Sequence, residues 1–188
     1  MYLLDGAAGA GKMNSLMSRF NSLLAFTVTV LAALTFLVFL STIFQQPRVP
    51  VSIRVSGISL KIYEDYTGNH DLGSINFSIF VDLGPVFNWN VKQLFLYLTA
   101  EYATAKNKLN QVVLWDKILQ RGVNTRLNLQ NMSPKYLLLD DGNGLIGNNV
   151  SLSLSWNIVP NAGILYLIPA SGHKVIPLPE KYENIRSC

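Results

Sequence analysis

The chain has 188 residues, with 15 Lys and Arg against 11 Asp and Glu and one cysteine. Its net charge of +4 is scattered and forms no basic stripe, which argues against a nucleic-acid partner. The single cysteine is the last residue, Cys188, so an intrachain disulfide and a cysteine metal site are both excluded.

The first dozen residues, Met1 to Lys12, are small and rich in Gly and Ala, and Met13 is a second potential start. Gly6 to Met13 imitates a phosphate-binding loop, but Met13 stands where a magnesium-holding hydroxyl belongs and no preceding strand frames it. The segment reads as a flexible leader.

No charged residue occurs between Arg19 and Arg48, and Leu23 to Phe44 is almost wholly apolar. About 22 helical residues at about 1.5 Å each reach roughly 33 Å, enough for the roughly 30 Å hydrocarbon core of a bilayer. A cleaved signal peptide would have a shorter apolar run and small residues before its cut site, and the end of this segment has neither. An uncleaved anchor is expected, with Ala25, Ala32 and Ala33 as the small residues that permit close contact with other helices. Pro47 and Pro50 then end the helix. The expected division is 1–19 before the anchor, 20–46 for the anchor and 47–188 for one compact domain.

Beyond the anchor the apolar period becomes two, which is the signature of strands. Val51, Ile53 and Val55 alternate with polar residues until the phase slips at Gly57, predicting either a bulged strand or two short ones. Ile75 to Leu83 alternates and puts Asn76 and Ser78 on the polar face. Leu94 to Leu98 is apolar without a break and fits either a strand covered on both faces or a short buried helix, and Val112 to Trp115 repeats that character. Leu127 and Leu129 share a face, and Val150, Leu152, Leu154, Trp156 and Ile158 alternate with Ser and Asn. Turn compositions fill 65–73, 106–110, 140–144, 147–149 and 160–163. Short strands without helical crossovers predict an antiparallel β-sandwich.

No cofactor is called for, and no catalytic or metal-binding residue is assigned. His70 and His173, the only histidines, lie in stretches that read as exposed loop, and a triad through His173 and Ser171 has no support from spacing. Asp140 to Gly144 resembles a calcium loop but lacks the terminal Glu, so it reads as a solvated turn. Trp156 is expected to point inward, whereas Trp89, flanked by Asn88 and Asn90, is the tryptophan expected to reach a surface and a partner. The sequons at Asn149 and Asn76 favour a lumenal domain, since the charges flanking the anchor give no clear vote. Asn149 precedes a strand on its polar phase and is the favoured acceptor over Asn76, which lies within a strand. A third sequon, at Asn131, is discounted because Pro134 follows it.

Three blocks, Asn88 to Phe95, Leu109 to Asp116 and Leu154 to Pro160, resemble the signal peptidase complex subunit 3 family. The resemblance runs from about Met13 nearly to the C-terminus and takes in Arg19 to Leu23, the turn at Asp140 and the sequon at Asn149. It implies a single-pass type II protein of the endoplasmic reticulum membrane, with a cytosolic N-terminus and a lumenal domain. It further implies a non-catalytic role, beside a separate catalytic subunit and two other small membrane subunits. The rival class is a membrane-tethered adhesion or receptor-like β-sandwich, whose usual inter-sheet disulfide this chain lacks.

Overall fold

A computed structural model describes residues 16–42, 48–66, 68–142 and 144–183. The leader with its loop-like Gly6 to Met13, the first half of the Gln45 to Pro50 connection, Asn143 and Cys188 lie outside the described residues.

Helix α1 (Leu16–Thr42) begins inside the segment expected to precede the anchor, because Leu16, Met17 and Phe20 continue a helix-compatible run. It is long and apolar enough to cross a membrane, and none of its apolar window is buried against protein. Thr27, Thr29 and Thr35 donate their hydroxyls to the carbonyls of Leu23, Ala25 and Leu31, which satisfies three donors that a membrane-crossing helix could not hydrate.

The remaining elements are β1 (Ser52–Asp65), β2 (Gly68–Asp82), β3 (Val91–Tyr102), β4 (Asn110–Gln120), β5 (Arg126–Met132), β6 (Leu138–Asp140), β7 (Asn149–Pro160) and β8 (Tyr166–Pro177). They form two antiparallel sheets, one in the order β1-β2-β5 with β6 also paired to β2, the other β4-β3-β7-β8. The inner faces meet in one core, where Phe77 of β2 lies edge-on to Trp115 of β4 with ring centroids 6.2 Å apart. Trp156 points inward and is fully buried, as the alternation of β7 requires. Each such side chain contributes roughly 1.5 to 3 kcal/mol by leaving water.

The phase slip at Gly57 is a bulge within a single strand, where the β1-β2 register shifts between Val55 and Gly57. Other expectations are corrected. Residues 68–73 belong to β2, because cross-strand pairing with β1 outweighs their turn-forming composition. The outer face of β3 is not covered: Phe95 and Tyr97 are half-buried and contact each other at 5.7 Å. His70 and His173 are strand residues, opposite Tyr63 and Ser153, because ladder pairing reaches beyond the apolar runs.

Candidate functional site

The hairpin order sorts the loops onto two ends of the sandwich. β1 starts beside the end of β2, with Ser52 opposite Phe80, and Asp82 faces Arg126 at the start of β5. Val91 opens β3 opposite Pro160 at the end of β7, and Tyr166 opens β8 opposite Ile158. Residues 82–91, 120–126 and 158–166 therefore share the end at which the chain enters from α1. Residues 65–68, 102–110, 140–149 and 177–183 share the other.

At the helix end, Asn90 is buried and works as a clamp. Its Nδ2 donates to the Ala162 carbonyl at 2.8 Å, its Oδ1 accepts the Ala162 N–H at 3.1 Å, and its carbonyl accepts the Asn161 N–H at 2.7 Å. Arg121 fastens the same corner, donating through Nε to the Val91 carbonyl at 2.9 Å and through Nη2 to the Asn88 carbonyl. The clamp leaves Trp89 at the surface, 57% exposed, as expected of it. It also holds Gly163 against α1: a Cβ on Gly163, whose φ is +117°, would lie 3.0 Å from a ring carbon of Phe39. Ala32, Thr35, Phe36 and Phe39 thus line a groove with Gly163 and Ile164. Ala32 faces this chain's own loop, and Ala25 and Ala33 are exposed on the helix.

The far end carries two buried carboxylates. Asp71 Oδ2 accepts the Leu145 and Ile146 N–H groups at 2.9 and 3.3 Å, and Oδ1 accepts the Tyr182 hydroxyl at 2.8 Å. Asp140 Oδ1 accepts the Tyr102 hydroxyl at 2.9 Å, and Oδ2 accepts the Gly144 N–H at 3.0 Å. Asp140 is thus not in a solvated turn, because these donors replace the water its carboxylate would otherwise need. Burial, then the Asp140 carboxylate, pushes the Tyr102 hydroxyl up from its ordinary range. Asp71 and Asp140 pair across β2 and β6. No group of three His, Cys, Asp or Glu suited to a metal occurs among the described residues. These acids are tied to donors and hold loops together.

Asn149, at this far end, is exposed, whereas Asn76 is half-buried in the middle of β2 and opposite the Gly57 bulge. Of these two, the more accessible is Asn149, at the end away from α1.

The two outer sheet faces differ. A groove on the first is lined by Arg54, Ser78, Asn128 and Gln130 together with Leu129 and the exposed Phe80, so polar and apolar groups are mixed there. On the second, the register aligns Ile118, Phe95, Asn157 and Leu167 in one row. Ile118 is 53% and Leu167 62% exposed. At its margin Asp116 accepts from Lys135 Nζ at 2.7 Å and from the Tyr136 hydroxyl at 2.8 Å. Lys135 and Tyr136 hold the Asp116 carboxyl below its ordinary value. Sequence reasoning missed Asp71, Asp140 and Asn90, because their partners are distant in the chain or are backbone groups. The only advance signal was an excess of Asp, Asn and Gly in the loops.

Residues 13–181 match the model of a family described as a signal peptidase subunit. Signal peptidase complex subunit 3 of Homo sapiens is 58% identical over 179 residues, covering 93% of this chain and 99% of the relative. The Gallus gallus protein of that name is 56% identical with the same coverage. The Drosophila melanogaster protein is 51% identical over 174 residues, covering 90% of this chain and 97% of its own length.

Proposed function

The chain belongs to the signal peptidase subunit family, and from that premise we propose that it serves as a non-catalytic subunit of the endoplasmic reticulum signal peptidase complex. It supports the removal of signal peptides by a separate catalytic subunit, with two further small membrane subunits completing the assembly. The carrying observation is the near-complete match to subunit 3 relatives, joined to an anchor and a sandwich whose buried acids are engaged in structure.

The chain is a membrane protein of the endoplasmic reticulum. In the proposed topology α1 crosses once as a type II signal anchor, with residues 1–19 cytosolic, 20–46 in or beside the membrane and 47–188 lumenal. The exposed sequon at Asn149 supports that direction, because N-glycosylation is lumenal chemistry.

For the catalytic subunit we assign the outer face of β4-β3-β7-β8. Its row of Ile118, Phe95 and Leu167, interrupted by Asn157, carries apolar side chains that this chain leaves uncovered. Ala25 and Ala33 remain on α1 for helices of the other subunits. The domain then holds the catalytic subunit close to the bilayer, where cleavage sites emerge. Depletion of the chain tests this role: signal-bearing precursors should accumulate uncleaved, and unchanged processing would refute it.

A further inference from the structure

The end of the sandwich nearest α1 carries apolar side chains that the protein core does not use. Ile164 and Leu165 are 60% and 61% exposed at the tip of the β7-β8 connection, and Trp89 is 57% exposed beside the Asn90 clamp that fixes this connection. Loops with no partner are ordinarily polar, and this one exposes two adjacent large aliphatic residues.

Its height relative to the bilayer follows from α1. A span of about 20 residues fitted between Arg19 and the end of the apolar run at Phe44 terminates no earlier than Phe39. Phe39 thus lies at the hydrocarbon boundary, or up to about 7.5 Å inside it at about 1.5 Å per residue. Gly163 is held against Phe39, and Ile164 closes the groove that continues down α1 through Phe36 and Thr35 to Ala32. With α1 crossing as proposed, the loop tip reaches the level of the membrane surface.

We propose that this end of the sandwich is a membrane-insertion surface: Ile164 and Leu165 enter the acyl boundary of the leaflet on the sandwich side, and Trp89 anchors at headgroup level. The occupant of the surface is lipid. Tryptophan suits the second position because its ring prefers the interface while its N–H still meets water or headgroups. Three hydrogen bonds from Asn90 fix the backbone of Asn161 and Ala162, so the loop enters lipid with little further ordering. Gly163 is required on two counts, its positive φ and the nearness of Phe39. The sandwich is thereby held at three places: the chain connection from α1, the Gly163 contact and the inserted loop. The proposal depends on α1 crossing the bilayer and not on the processing role, so a complex without cleavage activity would leave it standing.

The test places a single environment-sensitive fluorophore at Leu165→Cys, in a Cys188→Ser background, within the assembled complex in phosphatidylcholine nanodiscs. Tyr66→Cys, at the opposite end and 99% exposed, is the aqueous reference. Ile164→Cys provides a second loop position should Leu165→Cys fail to assemble. The loop label should be quenched by phospholipids carrying a nitroxide high on the acyl chain, and its quenching by iodide should be several-fold weaker than at Tyr66. Iodide quenching equal to that at Tyr66 would overturn the proposal. Shielding from both quenchers would also overturn it, because the loop would then lie beneath another protein.

Discussion

Tyr182 donates a 2.8 Å hydrogen bond to Asp71 across 111 residues of chain, which ties the segment after the last strand to β2. The same carboxylate accepts two backbone N–H groups from 145–146, so one side chain joins three separate stretches. The Leu60 carbonyl, accepting the Glu183 N–H at 2.8 Å, adds a fourth point of attachment.

Removing that carboxylate should cost far more than removing the phenol. Asp71→Ala strands the buried Leu145 N–H along with two other donors, and is expected to lower stability by roughly 2 to 4 kcal/mol. Tyr182→Phe deletes one hydroxyl at a half-buried position and should cost about 0.5 to 1.5 kcal/mol. Thermal unfolding of the full chain in detergent compares them, and equal losses would contradict the assignment of Asp71 as the shared acceptor.

Alkali should loosen the same corner. The Asp71 carboxylate, with burial second, raises the Tyr182 hydroxyl above its ordinary 10.0. A group whose folded-state value is raised contributes stability fully present below the unfolded value and lost as pH climbs through the folded one. The segment 178–183 should therefore stay protected up to about pH 10 and loosen above it. Limited proteolysis of the C-terminal segment across pH 8 to 11 reads this directly, and Tyr182→Phe should flatten the profile.

Glycan attachment should follow accessibility. Asn149 is exposed before β7, and Asn76 is half-buried between neighbouring strands. Asn149→Gln is expected to abolish the mobility shift produced by an endoglycosidase, and Asn76→Gln to leave it unchanged. A shift that survives Asn149→Gln would place the modification elsewhere.

Assembly should depend on the apolar outer row. Ile118→Asp puts a charge where the side chain is 53% exposed, so folding should change by no more than about 0.5 kcal/mol. Co-purification of the catalytic subunit should fall sharply. The control Gln130→Asp, in the groove on the outer face of the other sheet, should leave it intact.

The strands whose apolar residues strictly alternate were legible in the sequence: Ile75 to Leu83 and Val150 to Ile158 bury the expected side chains. The bulge was legible too, since a one-residue slip at Gly57 reverses the phase of everything after it. β8 was not, because Pro169 and Ser171-Gly172 break its period and its register shifts opposite Ser153 and Ser155. β6 is three residues long and carries no period at all.

The sites divide in the same way. Trp89 could be read as a surface residue from its polar neighbours, but its place at the α1 end of the sandwich follows only from knowing which loops share an end. The Asp71 and Asp140 clusters join residues from β2, β3, β6 and the C-terminal segment, and no local pattern announces such a meeting. The polar composition around Asp140 pointed to a solvated turn, whereas Asp140 ends β6 and its carboxylate is buried on the Tyr102 hydroxyl and the Gly144 N–H.

Purification of the intact chain from endoplasmic reticulum membranes in mild detergent tests the central claim most directly. The expected result is a fixed set of membrane subunits that co-elute with it and cleave a signal-bearing precursor. Recovery of the chain as a solitary monomer, with cleavage activity eluting elsewhere, would contradict it.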